Sequence, residues 1–129
     1  MHCETVSTIV KSPSERTFRY LSTVANLPDW ATGFCRRLET VGGRHYVDTP
    51  DGRVLVAIAS DEKTGVVDFL AGPEEGRMSR WPARVVELPG SESLVLFTCV
   101  HEPGLSDEAF RGQVESLKLE MQNVKAALE

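Results

Sequence analysis

The chain has 129 residues, of which 41% are hydrophobic and 26% charged, with a formal net charge of −5. That length suits one domain with a substantial core, so a single domain over 1–129 is expected. The negative balance, with no run of Lys or Arg to offset it, argues against nucleic acid as a partner. Three cysteines, at 3, 35 and 99, are odd in number and far apart. They fit a reducing compartment better than a disulfide framework or a zinc ribbon. No segment approaches the roughly 18 apolar residues of a membrane span, and the start "MHCETVSTIV" lacks a signal-peptide pattern. A cytoplasmic location is the expectation.

In chain order, "ETVSTIV" places β-branched residues at alternate positions and reads as a first strand. "SPSE" (12–15) then predicts a helix start, with Ser12 as cap, Pro13 in the first turn and Glu15 completing a capping box. Phe18 and Leu21 form its apolar side. A second short helix is predicted from Asn26 through "LPDWAT", stopping at Gly33.

The middle of the chain is punctuated by "VGGR", "TPDG", "DEKTG", "GPEEG" and "LPGSE". Each supplies the residues of a chain reversal. The runs between them, 35–40, 44–49, 53–60, 65–71, 77–88 and 93–101, form an antiparallel meander, with Pro82 marking a bend in the longest.

Phe110, Val114, Leu117, Met121, Val124 and Leu128 recur at alternating spacings of four and three. This is the apolar stripe of a helix of about 23 residues, near 35 Å long. Ser106 can cap it, and Asp107 and Glu108 suit its positive end. The fold class is therefore α+β: about seven strands in a curved antiparallel sheet, two short helices after the first strand, and a long C-terminal helix.

"IVKSPSERTFRYLSTVANLPDWA" (9–31) and "FTCVHEPGLSDEAFRGQVESLKLEMQNVKAALE" (97–129) resemble the opening and closing segments of the START/birch-pollen-allergen-like (SRPBCC) superfamily. The resemblance is nearest to small bacterial polyketide cyclase/dehydrase-like members. It implies a helix-grip fold, a sheet wrapped around the C-terminal helix with a ligand cavity between them. It also implies a small hydrophobic or aromatic partner, such as a lipid. Fold alone does not choose among carriers, enzymes and interaction modules.

Metal binding finds no support, because His2, His45 and His101 lack ligand spacing with one another or with cysteine. No nucleophile elbow and no phosphate loop is present, and no cofactor is implied. Polar residues inside apolar strands are the remaining candidates for chemistry. Asp68 in "GVVDFLAG" and Arg84 in "WPARVVEL" fall on strands joined by one turn, with Asp68 opposite 81 or 82 and Arg84 opposite 65 or 66. An ion pair or two solvated residues on the outer face is the ordinary explanation for them. If they face the cavity, Arg84 would orient a ligand oxygen and Asp68 or His101 would serve as base.

Trp30, Phe34, Phe69, Trp81 and Phe97 are candidate ligand-lining aromatics, with Met121 contributed by the long helix. Tyr46 and His45 face opposite sides of one strand, so only one of them looks inward. Three functions follow: ligand binding, cyclase/dehydrase-type acid–base catalysis using Asp68, Arg84 and His101, and an interaction module, a homodimer included, with a filled interior.

Overall fold

A computed structural model describes residues 1–129. Strand β1 (His2–Val10) is followed by helix α1 (Ser14–Ser22), a 3-10 turn at Val24–Asn26 and the one-turn helix α2 (Leu27–Trp30). Seven strands come next: β2 (Arg37–Val41), β3 (Arg44–Thr49), β4 (Gly52–Asp61), β5 (Val66–Glu74), β6 (Arg77–Trp81), β7 (Ala83–Leu88) and β8 (Glu92–His101). Helix α3 (Asp107–Leu128) ends the chain. The strands form one antiparallel sheet in the order β1-β8-β7-β5-β4-β3-β2, with β6 also paired to β5. This is the expected α+β helix-grip architecture.

The run 77–88 forms two strands, which gives eight rather than about seven. Pro82 is the reason, since a residue without an N–H cannot continue the ladder. β6 pairs with β5 up to Trp81, whereas β7 pairs along its length with β8 and touches β5 only at Val66↔Arg84. The Pro82 carbonyl accepts from Thr98 N–H at 2.9 Å, so the crossover itself is tied to β8.

Both short helices depart from their predicted bounds. α1 starts at Ser14, with Pro13 extended at ψ 147° in the cap position and no side-chain cap. Ser12 is instead drawn inside: its carbonyl accepts from Ser93 Oγ at 2.6 Å, and Ser93 Oγ meets Thr17 Oγ1 at 2.8 Å. A buried polar cluster thus takes the residue that local pattern assigned to capping. α2 ends at Trp30, and the Asn26 amide donates to the Tyr20 carbonyl at 3.0 Å rather than capping.

α3 follows expectation closely. Ser106 Oγ accepts from Ala109 N–H at 3.1 Å, and all six stripe residues are buried. Each such burial contributes about 1.5–3 kcal/mol. The helix packs across β1 and β8, and α1 lies over β7 and β8. The alternation of each strand then sorts its side chains. Val67 and Phe69 of β5, Ala83 and Val85 of β7, and Val95, Phe97 and Cys99 of β8 join Val10, Trp30 and the α3 stripe in the core. Their strand neighbours occupy the convex face. No helix is long and apolar enough to cross a membrane.

Candidate ligand-binding site

Three aromatic side chains meet where the concave face turns under α2. Phe69 and Phe97 stack at 5.2 Å between centroids with an interplanar angle of 17°. Trp30 stands edge-on to both, at 5.6 and 6.2 Å. Such offset and edge contacts suit the ring quadrupoles. Trp81, the register partner of Phe69, shares that face and is half-buried, as is Phe34 in the loop after α2. The Trp30 indole N–H is buried and has no hydrogen-bond partner.

α3 grips the loop that carries Trp30 and Phe34. Asn123 Nδ2 donates to the Trp30 carbonyl at 3.1 Å and to Thr32 Oγ1 at 3.0 Å. One turn earlier, Glu120 Oε2 accepts from the backbone N–H groups of Gly33 and Phe34, both at 3.1 Å. Gly33 lies so close to the helix that an added Cβ would meet Ser116 Oγ.

Glu120 is only 6% exposed. Burial pushes its carboxyl up to about 7, against the pull of the Phe34 and Gly33 N–H groups. Cys99 feels the same burial, and with the Glu120 and Glu4 charges its thiol is pushed up to about 11. It therefore stays protonated and unreactive at neutral pH. Burial also raises Cys35, with Asp48 and Glu120 adding to the effect.

The predicted polar residues lie elsewhere and do not converge. Asp68 is on the convex face, where Oδ2 pairs with Arg80 at 2.6 Å and Oδ1 accepts from Ala83 N–H at 3.4 Å. Arg84 shares that face opposite Val66, and its Nε donates to the Thr64 carbonyl at 3.2 Å. The pleat is the cause: Val67, Phe69 and Val85 point inward, so the residues between them point out. Tyr46 is also on the convex face, with the Arg53 guanidinium 4.8 Å above its ring.

His101 faces inward at the end of β8, stacked on Phe110 at 4.6 Å. Its Nε2 donates to the Leu105 carbonyl at 2.7 Å, which holds the loop before α3. Met121 is buried and forms part of an open groove of about 420 Å³ between β1 and α3, beside Glu4 and Lys118. A second groove, of about 330 Å³, runs between α1 and the end of α3 past Arg16, Arg19 and Tyr20.

Glu120 was absent from the sequence-derived candidates, yet a signal for it existed. It falls three residues after Leu117 and four before Val124, so it lies on the apolar stripe. A carboxylate there needs backbone donors from another segment, and the turn at Gly33–Phe34 supplies them.

No protein-family model matches the chain, and no curated protein matches its sequence. Solved structures do match over essentially the full length. The Aha1 dimer from Colwellia psychrerythraea, determined in solution, superimposes with a TM-score of 0.73 at 15% identity, covering 100% of this chain and 97% of that one. A START superfamily protein from Mycobacterium smegmatis gives 0.68 at 11% identity, with 99% and 97% covered. Ara h 8.0201 gives 0.67 at 18% identity, with 98% and 97% covered. With the strand order and the α3 packing, these likenesses establish that the chain has the helix-grip fold.

Proposed function

We propose that the protein binds a small hydrophobic or aromatic molecule between the concave face of the sheet and α3, against Trp30, Phe69 and Phe97. Phe34 and Trp81 form the rim in this reading. The observation that carries it is the Trp30 indole N–H, buried in an aromatic corner without an acceptor. An unpaired buried donor costs about 1–3 kcal/mol, and a ligand oxygen or nitrogen would recover it. Sites of this kind pair apolar walls with a few placed polar groups. The START superfamily and Ara h 8.0201 likenesses support the reading at the level of fold.

Titration with the neutral dye N-phenyl-1-naphthylamine tests it. Saturable one-to-one binding is expected, weakened at least tenfold in a folded Phe97→Leu variant. Absence of saturable binding up to the solubility of the dye would overturn the proposal.

Self-association is a second reading. β1 is an edge strand with one side of its ladder unpaired by any other strand, and the Aha1 structure of the same fold is a dimer. A concentration-dependent mass in light scattering is the expected result, and a constant monomer mass would remove it.

A further inference from the structure

An antiparallel sheet with one face on the core ordinarily turns polar side chains outward on the other. The convex face follows this rule at one end, with the Asp68–Arg80 ion pair and Arg53 over Tyr46. At the other end it does not. Pleat and register place Ile9 of β1, Leu94 of β8 and Val86 of β7 in one row across three strands. The row on one side holds Leu96, Arg84 and Val66, and the row on the other holds Leu88 beside Glu92. Ile9 is 49% exposed, and the other aliphatic side chains of these rows are half-buried. None of them belongs to the core or packs against it. The helices leave them bare, because Thr17 of α1 and the α3 stripe meet the opposite face.

Four strands about 4.8 Å apart and three rows about 7 Å apart, with side-chain width added, make a patch on the order of 400 Å². Single surface aliphatics are ordinary, whereas a contiguous patch of this size is what interaction surfaces present.

What fits the patch is set by the charges on its two sides. Arg84 gives its Nε to the Thr64 carbonyl, and neither Arg84 nor Glu92 has an ion-pair partner. They stand in the two outer rows, with the aliphatic row between them. A two-fold axis along the middle row lays that row on its own copy and exchanges the outer rows. Arg84 of each copy then faces the row that holds Glu92 of the other. The remaining offset is one strand spacing, about 4.8 Å, which an arginine side chain spans. The surface is thus its own complement, as an isologous contact requires.

Resting on the self-association reading above, we propose that the convex face of β1, β8, β7 and β5 docks a second copy of the chain, sheet against sheet. The contact is a surface other than the free β1 ladder. Patches on the order of 400 Å² bury less than a permanent dimer does, so the association is weak and reversible. Each copy carries a net charge of −5, and the two Arg84–Glu92 contacts fix one orientation against that general repulsion.

Sedimentation equilibrium from about 10 μM to about 1 mM reads the association. The mass of the parent protein is expected to rise towards twice that of the chain. Arg84→Glu and Glu92→Arg each set like charges against one another at both symmetric contacts, so each alone is expected to weaken the dimer at least about fivefold. An equimolar mixture of the two variants restores opposite charges at both contacts, and its association is expected to return to within about twofold of the parent. Leu94→Asp, at the centre of the patch, is expected to stay monomeric throughout, with its fold checked by circular dichroism.

A constant monomer mass for the parent would overturn both the self-association reading and this surface. Dimerisation that survives Leu94→Asp and both charge reversals would keep the reading and overturn the surface, since pairing along the β1 ladder uses none of these side chains. Weakening by both reversals without recovery in their mixture would overturn the two-fold arrangement.

Discussion

Glu120→Gln offers a direct test of the buried carboxyl on α3. Its folded pKa of about 7 exceeds the ordinary 4.5, so the folded state holds this proton more tightly than the unfolded chain does. The stabilising contribution of protonation is therefore complete below pH 4.5 and is lost as pH rises through about 7. A shift of that size corresponds to about 3 kcal/mol between the two limits. Glutamine keeps an acceptor for the Gly33 and Phe34 N–H groups but carries no charge at any pH. Urea unfolding of both proteins from pH 4 to pH 8, followed by tryptophan fluorescence, isolates this one group because the other titrations cancel in the difference. The variant is expected to gain on the parent as pH rises, by about 3 kcal/mol across the range and with most of the change between pH 5 and 7. A difference that stays flat, or one that falls with pH, would refute the argument that burial outweighs the two backbone hydrogen bonds.

Two further substitutions test the frame around the site. Gly65 has φ +76°, and a Cβ there would meet the Val85 carbonyl oxygen, which also lies on the chain bonding back to the Gly65 turn. Gly65→Ala is expected to cost about 2–4 kcal/mol in denaturant unfolding, through left-handed strain and steric overlap together; a loss under 0.5 kcal/mol would show that the turn relaxes freely. Asp68→Asn removes the partner of Arg80, whose side chain is 56% exposed. A cost of about 1 kcal/mol or less is expected, with dye affinity unchanged because the residue lies on the convex face. A tenfold loss of affinity in folded protein would return Asp68 to the binding site.

The elements that local chemistry controls were legible in the residues. The α3 stripe, its Ser106 cap and the turn-separated strands each express a short-range rule, and each reappears in the fold. The register across the 72–76 turn was also readable, since Val66↔Arg84 and Phe69↔Trp81 lie where reflection about that turn puts them. Where local signals misled, a distant partner competed. Ser12 has the pattern of a cap, but its carbonyl is claimed by Ser93, 81 positions away. The run 77–88 has the composition of one strand, but β5 and β8 divide it between them at a proline that has no N–H to donate to either ladder.

The candidate site divides along the same line. Periodicity showed that Asp68 and Phe69 point to opposite faces, but alternation is symmetric and does not say which face is concave. That depended on where α3 came to rest, and α3 settled over the face carrying Phe69, Phe97 and Cys99. Glu120 shows the same limit from the other side. Its place on the stripe is a property of helical spacing alone. The donors that make its burial tolerable belong to Gly33 and Phe34, 87 and 86 residues away, and only the packing of α2 against α3 brings them within reach. Helical and strand periods are set by backbone geometry within a few residues, whereas the pairing of a buried charge requires two segments to meet in space.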